Sequence, residues 1–145
     1  MRIAFVMGAV ALAFAGSAAA ETWQTFSRSP NNAFMADVDG ITTEGDITSI
    51  RVATAPRAGE AGDLSHTVET YQFRCSARQW RTAGMVELGP DGAEIGQYPE
   101  EDAAWEPLRP DTLPHYLKDI ACDGARSVPP HWPTVAAFVE AGRQP

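Results

Sequence analysis

Two cysteines, Cys75 and Cys122, follow a predicted export signal, and they constrain the fold more than any other feature of the chain. A protein exported from the cytosol meets oxidising conditions, in which two thiols usually form one disulfide. The two residues are 47 positions apart, unlike the C-x-x-C spacing of redox-active dithiols. The pattern therefore predicts a structural disulfide that joins distant parts of one domain.

The first twenty residues have the composition of a signal peptide. Arg2 is a minimal basic region, residues 3–15 are almost wholly apolar, and residues 18–20 form a small-residue cleavage site. The alternatives are an N-terminal membrane anchor or a buried helix, but the apolar run is shorter than the roughly 20 residues that span a bilayer. We expect cleavage after Ala20, and no membrane insertion of the mature chain because no second run of this length follows.

The mature chain, residues 21–145, is strongly acidic and has the length of one domain. All 19 acidic residues lie in it, and removing Arg2 takes the formal net charge from −8 to −9. Nucleic-acid phosphates and anionic lipid headgroups would be repelled by such a surface. The composition therefore argues against nucleic acid and membrane partners.

Alternation of apolar and polar residues predicts a β-rich domain. The predicted strands cover residues 21–28, 33–38, 47–55, 65–75, 78–88 and 93–98. Since side chains alternate with period two, Tyr71, Phe73 and Cys75 lie on one face of their strand, and this face is expected to meet the core.

Two helices are predicted near the carboxyl end. Apolar residues recur at helical spacing over 113–121, with Asp111 as the expected N-cap and Gly124 as the terminator. A Pro-rich connector, residues 128–133, leads to a possible two-turn helix over 134–141. So short a helix needs a surface to pack on.

These landmarks occur in the order seen in a known family. The ordered set is Trp23, residues 35–41, the strand at 50–52, residues 71–75, the segment 105–110 and a short helix ending in Cys122. Over Trp23 to Cys122 the chain resembles the surface-adhesin protein E-like family. The resemblance implies an α+β fold, a curved antiparallel sheet of about six strands with a C-terminal helix on its concave face, tethered by the disulfide.

Two parts of the chain depart from the family pattern. The loop at 56–63 is long, and the tail after Cys122 has no counterpart. We therefore divide the chain into a signal peptide (1–20), an adhesin E-like domain (21–124) and a connector with a short helix (125–145). The adhesin that gives the family its name is associated with the matrix proteins vitronectin and laminin. No residue of the shared motifs carries that activity, so the resemblance implies the fold and not the ligands.

The chain offers no catalytic or metal motif. Three histidines are spaced unlike zinc ligands, namely His66, His115 and His131. The sequence contains neither a G-x-S-x-G elbow nor a glycine-rich phosphate loop, and no cofactor is expected. Asp37 with Asp39, and residues 100–102, are interpreted as solvated loop charges.

Aromatic residues mark the predicted binding surface, because they contribute strongly to cores and interfaces alike. We place this surface at Tyr71, Phe73, Trp80 and Trp132, with Trp80 also expected in the core. Trp105 is expected to seal the junction between sheet and helix.

The sequence favours an exported, non-enzymatic, adhesin-like binding protein of the periplasm or cell surface. A protein ligand or a second copy of the chain could pair with an open sheet edge. The alternatives are an envelope enzyme or enzyme inhibitor with a loop-built site, and a structural periplasmic accessory protein.

Overall fold

The computed structural model describes residues 20–144. Most of the predicted signal peptide, residues 1–19, lies outside this range. The cleavage site predicted after Ala20 therefore stays a prediction, and the fold begins directly after it at Trp23.

An antiparallel sheet of eight strands, curled but not closed, dominates the structure. The strands are β1 (Trp23–Arg28), β2 (Asn32–Asp37), β3 (Thr42–Glu44), β4 (Ile47–Pro56), β5 (His66–Arg74), β6 (Gln79–Leu88), β7 (Glu94–Pro99) and β8 (Glu106–Pro107). Their order is β1-β2-β4-β5-β6-β7, with β3 paired to β4 and β8 to β6. The predicted α+β fold is confirmed. Six strands form the main path, and two short strands add to it.

The central strand β4 is apolar on both faces, and this explains the layering of the domain. Ile50 and Val52 point to one side, while Ala53 and Ala55 contribute to a separate core on the other. A strand buried on both sides needs a cover over each face of the sheet.

Helix α1 (Leu113–Asp123) covers one face, called here the α1 face. Leu117 and Ile120 are buried against the sheet. The helix ends at Gly124, whose φ of 73° lies in the left-handed region that glycine tolerates. The predicted N-cap was wrong by one residue. Thr112 has the extended conformation of the N-cap, whereas Asp111 precedes it with φ 59°.

The predicted disulfide fastens α1 to the sheet. Cys75 and Cys122 are bonded, with Cα atoms 5.8 Å apart, and no free cysteine occurs among residues 20–144. Cys75 shares its core with Phe73, as the period-two pattern predicted. Cys122 lies in the last turn of α1, because the helix continues to Asp123, two residues past the predicted span of 113–121.

Helix α2 (Val135–Glu140) covers the opposite face, called here the α2 face. The Thr134 side chain accepts a hydrogen bond from the Ala137 amide, which caps the helix. Phe138 and Val139 are fully buried against residues of β1, β2 and β4. The tail thus buries apolar residues on the face of the sheet opposite α1.

Backbone and side-chain hydrogen bonds hold the tail in place. Trp132 exchanges two backbone hydrogen bonds with Trp23, of 2.8 and 2.9 Å. Arg143, only 5% exposed, donates to the carbonyl oxygens of Pro56, Glu60 and Asp63. These bonds join the tail to the long loop at 56–63, so the two departures from the family pattern contact each other.

Between residues 20 and 144, neither helix has the length and apolarity that a membrane-spanning helix requires.

Candidate binding site

A cleft of about 530 Å³ opens on the α2 face, between strands β5 to β7 and the start of α2. Its lining includes the apolar residues Val68, Val86 and Leu88, and the charged residues Glu21 and Arg51 at one side. Ligand sites in proteins usually have volumes of roughly 300–1,000 Å³ and combine apolar walls with a few polar groups. The cleft therefore has the size and composition of a binding site.

A charged network forms one wall of the cleft. The Arg51 Nη2 atom donates to Glu21 Oε1 at 2.7 Å and also to the Asp37 carboxylate. The guanidinium carbon of Arg51 lies 5.5 Å from the centroid of the Trp23 ring, whose indole N–H donates to Glu21 at 3.0 Å. Four side chains are thus fixed by one another, which gives this wall a defined shape.

The network holds Glu21 and Arg51 in their charged forms. Burial alone would raise the pKa of Glu21, but hydrogen bonds from Arg51 and Trp23 and the charge of Arg51 lower it overall. Burial opposes the charge of Arg51, yet hydrogen bonds and charge from Glu21 and Asp37 raise its pKa further. Neither Glu21 nor Arg51 is therefore prepared to exchange a proton near neutral pH.

Asp37 is buried behind this wall, where it binds Arg51, so its interpretation as a solvated loop charge was wrong. Its side chain is fully buried and accepts from the backbone amides of Thr22 and Gly40, each at 3.2 Å. A side chain at Gly40 would collide with the Asp37 carboxylate, which explains the glycine. Asp39, by contrast, is exposed, as predicted.

The sequence-predicted surface does not form one continuous patch. Tyr71, Phe73 and Trp80 belong to the α1-face core, where the Tyr71 and Trp80 rings stack with centroids 5.8 Å apart. Phe73 is fully buried and Tyr71 is 8% exposed, so α1 already covers them. Trp132 lies on the α2 face, edge-on to Phe138 at 6.0 Å. A ligand-binding role for these four residues stays a prediction.

Trp105 does not seal the junction between sheet and helix, and that prediction was wrong. Guanidinium carbons of Arg74 and Arg81 lie 4.3 and 4.4 Å from its ring centroid. Arg74 follows the inward-facing Phe73, so it points away from the α1 face. Trp105 therefore packs by cation–π contacts on the opposite side of the sheet.

Two neighbouring titratable groups on the α1 face, Glu69 and Tyr71, have raised pKa values. Burial raises the pKa of Glu69, the charge of Glu100 adds to this, and a hydrogen bond with Tyr71 opposes it. Burial also raises the pKa of Tyr71. Glu69 is separated from the cleft by the sheet, since it pairs across strands with Val52 of the α1-face core.

Among residues 20–144, no three His, Cys, Asp or Glu side chains converge as metal ligands would. Two of the three histidines contact backbone oxygens instead. The His66 Nδ1 atom lies 2.7 Å from the Leu64 oxygen, and the His131 Nε2 atom lies 2.9 Å from the Ser127 oxygen.

None of the four predicted surface residues lines the cleft, so the sequence interpretation missed this site, including Arg51 in its wall and the buried Asp37 that binds Arg51. Arg51 stands between Ile50 and Val52 in the centre of an apolar strand, and a charge in that position needs a partner. The position of Arg51 in the strand therefore indicated a carboxylate partner, but the sequence did not identify that partner.

The family comparison agrees with this architecture. A family model described as Surface-adhesin protein E matches residues 23–123, from the first strand to the last residue of α1. No individual curated protein and no solved structure matches the chain with significant similarity. The match covers more than half of the chain and leaves the α2 tail outside it. The chain therefore belongs to the surface-adhesin protein E family.

Proposed function

We propose that the chain is an exported, non-enzymatic protein that binds another protein in the periplasm or at the cell surface. Membership of an adhesin family is the observation that carries this proposal. The signal-like N-terminus and the structural disulfide support export, since disulfides persist in oxidising compartments.

The charged wall of the cleft, formed by Glu21 and Arg51, supports binding over catalysis. A general acid or base works best when its pKa lies near the operating pH. Glu21 and Arg51 are instead shifted further toward their charged forms. Such a wall offers fixed charges for recognition rather than a proton for transfer.

Glu69 is the observation that favours an enzyme as the second candidate function. Perturbed pKa values cluster at catalytic sites, and burial raises the pKa of Glu69. The Glu69→Gln variant separates the two functions, because it removes the titrating group and keeps its shape. We expect this variant to retain partner binding in full.

An affinity capture tests the proposal. Residues 21–145 with the disulfide formed are immobilised and exposed to envelope extract and to host matrix proteins. We expect capture of a specific protein, undiminished by Glu69→Gln. Recovery of a small substrate or product without a protein partner, or loss of capture with Glu69→Gln, would contradict the proposal.

A further inference from the structure

Strand β7 forms an open edge of the sheet. It pairs with β6 on one side, and within residues 20–144 no strand pairs with its other side. An unpaired edge presents a row of free backbone N–H and C=O groups, to which another chain can add a strand. Five of the six residues of β7 are exposed, including Ile95 at 64% and Tyr98 at 52%.

The opposite edge of the sheet is protected. Strands β1 and β7 each contain one bulge, at Phe26 and at Ile95, so a bulge does not distinguish the two edges. The difference comes from the tail, which covers the start of β1 through the two backbone hydrogen bonds between Trp23 and Trp132. Of the two ends of the main strand path, β7 is therefore the less covered one.

The segment around β7 is uniformly acidic. Residues 82–104 contain six carboxylates and no lysine, arginine or histidine. The carboxylates are Glu87, Asp91, Glu94, Glu100, Glu101 and Asp102. Charge of one sign selects a partner of the other sign and repels like charge. A second copy of this chain would bring two such acidic edges together, so a cationic partner is favoured.

We propose that the β7 edge binds an extended segment rich in lysine and arginine from another protein, by strand addition. This inference rests on the proposed function and names the chemistry of its partner. Glu94 and Gln97 of β7 also line the cleft, which continues into the apolar residues Val86 and Leu88. Since side chains alternate across a strand, one set of alternating side chains of the added segment faces this cleft. A segment in which basic and apolar residues alternate fits both features.

Three matched peptides test the proposal by fluorescence anisotropy. The probe KVKTKVKTK is basic and strand-forming, EVETEVETE reverses its charge, and KVKPKVKPK keeps the charge but interrupts strand pairing. We expect KVKTKVKTK to bind the protein, with an affinity that falls as the salt concentration rises. The acidic peptide and the proline peptide should bind at least about tenfold more weakly. Equal binding of the proline peptide would overturn strand addition, and equal binding of the acidic peptide would overturn charge selection.

Charge-reversal variants locate the contact. The edge variant carries Glu94→Lys and Glu101→Lys, which reverse two exposed charges at the β7 edge. The control variant carries Glu44→Lys and Glu140→Lys, which make the same net change in charge elsewhere on the surface. All four residues are exposed, and circular dichroism checks that both variants fold. We expect the edge variant to lose at least about tenfold in affinity for KVKTKVKTK, and the control variant to lose much less. Equal losses would overturn the assignment to β7.

Three further outcomes distinguish a basic partner at β7 from a second copy of the chain, from a partner bound elsewhere and from the absence of a protein partner. A concentration-dependent dimer that the edge variant abolishes would make a second copy the occupant, and would overturn the proposal. Undiminished capture of an envelope protein by the edge variant would also overturn it, while leaving the proposed function intact. Absence of any captured protein would count against the proposed function itself.

Discussion

The two faces of the sheet are closed by different means. The α1 face is covered by an eleven-residue helix that a disulfide ties to β5 through Cys75 and Cys122. The α2 face is covered by a six-residue helix held through packing of Phe138 and Val139 and through hydrogen bonds. Only α1 and its disulfide lie within the matched family region, residues 23–123, whereas α2 belongs to the tail beyond it.

Both closures are expected to stabilise the domain, and the α2 closure does so without a covalent bond. Isolated helices as short as α2 are unstable in water, so its stability depends on the surface that it covers. Substitutions on the two faces should therefore change the stability of the domain by different amounts.

The largest effect is expected on the α2 face, at Phe138. Phe138→Ala should lower the free energy of unfolding by about 3–5 kcal/mol, because it leaves a cavity beneath α2. Urea unfolding of residues 21–145 measures this loss. Val128→Ala, at a residue 85% exposed, is the control and should change stability by less than about 0.5 kcal/mol. A loss below about 1 kcal/mol at Phe138 would show that the tail is not part of the core.

On the α1 face, replacing both cysteines by alanine should cost about 2–4 kcal/mol, since the unfolded chain loses a long cross-linked loop. Reduction of the wild-type disulfide should cost a similar amount. The loss from Phe138→Ala should be the same in the two backgrounds within about 0.5 kcal/mol, because Phe138 and the two cysteines belong to separate core clusters. Strong non-additivity in urea unfolding would show that the faces are coupled.

The Asp37 carboxylate supports the charged wall on the α2 face. Asp37→Ala should cost about 2–3 kcal/mol, because it leaves two backbone amides and Arg51 without their buried acceptor. Asp39→Ala, at an exposed carboxylate nearby, is the matched control and should cost less than about 0.5 kcal/mol. Thermal unfolding distinguishes the two variants, and equal losses would contradict the buried role of Asp37.

The smallest effects concern pH, and they have opposite signs on the two faces. Glu21, on the α2 face, has a lowered pKa, so its stabilisation is present above its ordinary pKa and is lost as pH falls. Glu69, on the α1 face, has a raised pKa, so its stabilisation is present at acidic pH and is lost as pH rises through that raised value.

Near neutral pH, Glu21→Gln should therefore destabilise the protein and Glu69→Gln should stabilise it. Solvent screening limits each effect to about 0.5 kcal/mol or less. Both differences from the wild type should shrink in unfolding curves measured at acidic pH, where the wild-type carboxyl groups are protonated. Effects of the same sign at neutral pH would contradict this assignment.

The α1 face could be predicted from the sequence because its signals are local. Period two placed Phe73 and Cys75 on one side of a strand, and helical spacing placed Leu117 and Ile120 on one side of a helix. With only two cysteines, their pairing needed no further information.

The α2 face and its charged wall could not be predicted in this way. Both faces of β4 are apolar, so the pattern could not say which of them the short helix around Phe138 would cover. The partners Asp37 and Arg51 meet only because β2 and β4 pair in one particular register. Trp105 was misplaced for the same reason, since its contacts with Arg74 and Arg81 depend on strands distant from it in sequence.

Helices α1 and α2 cover parts of the two faces, and we propose the open backbone of β7 as the place where a protein partner binds. Hydrogen exchange of the mature protein, measured with and without the peptide KVKTKVKTK, tests directly whether a peptide strand adds to β7. We expect peptide binding to slow exchange at amides within residues 94–99 and to leave the β1 amides and the α1-face core unchanged. New protection around residues 71–80, or at β1 instead of β7, would contradict this expectation.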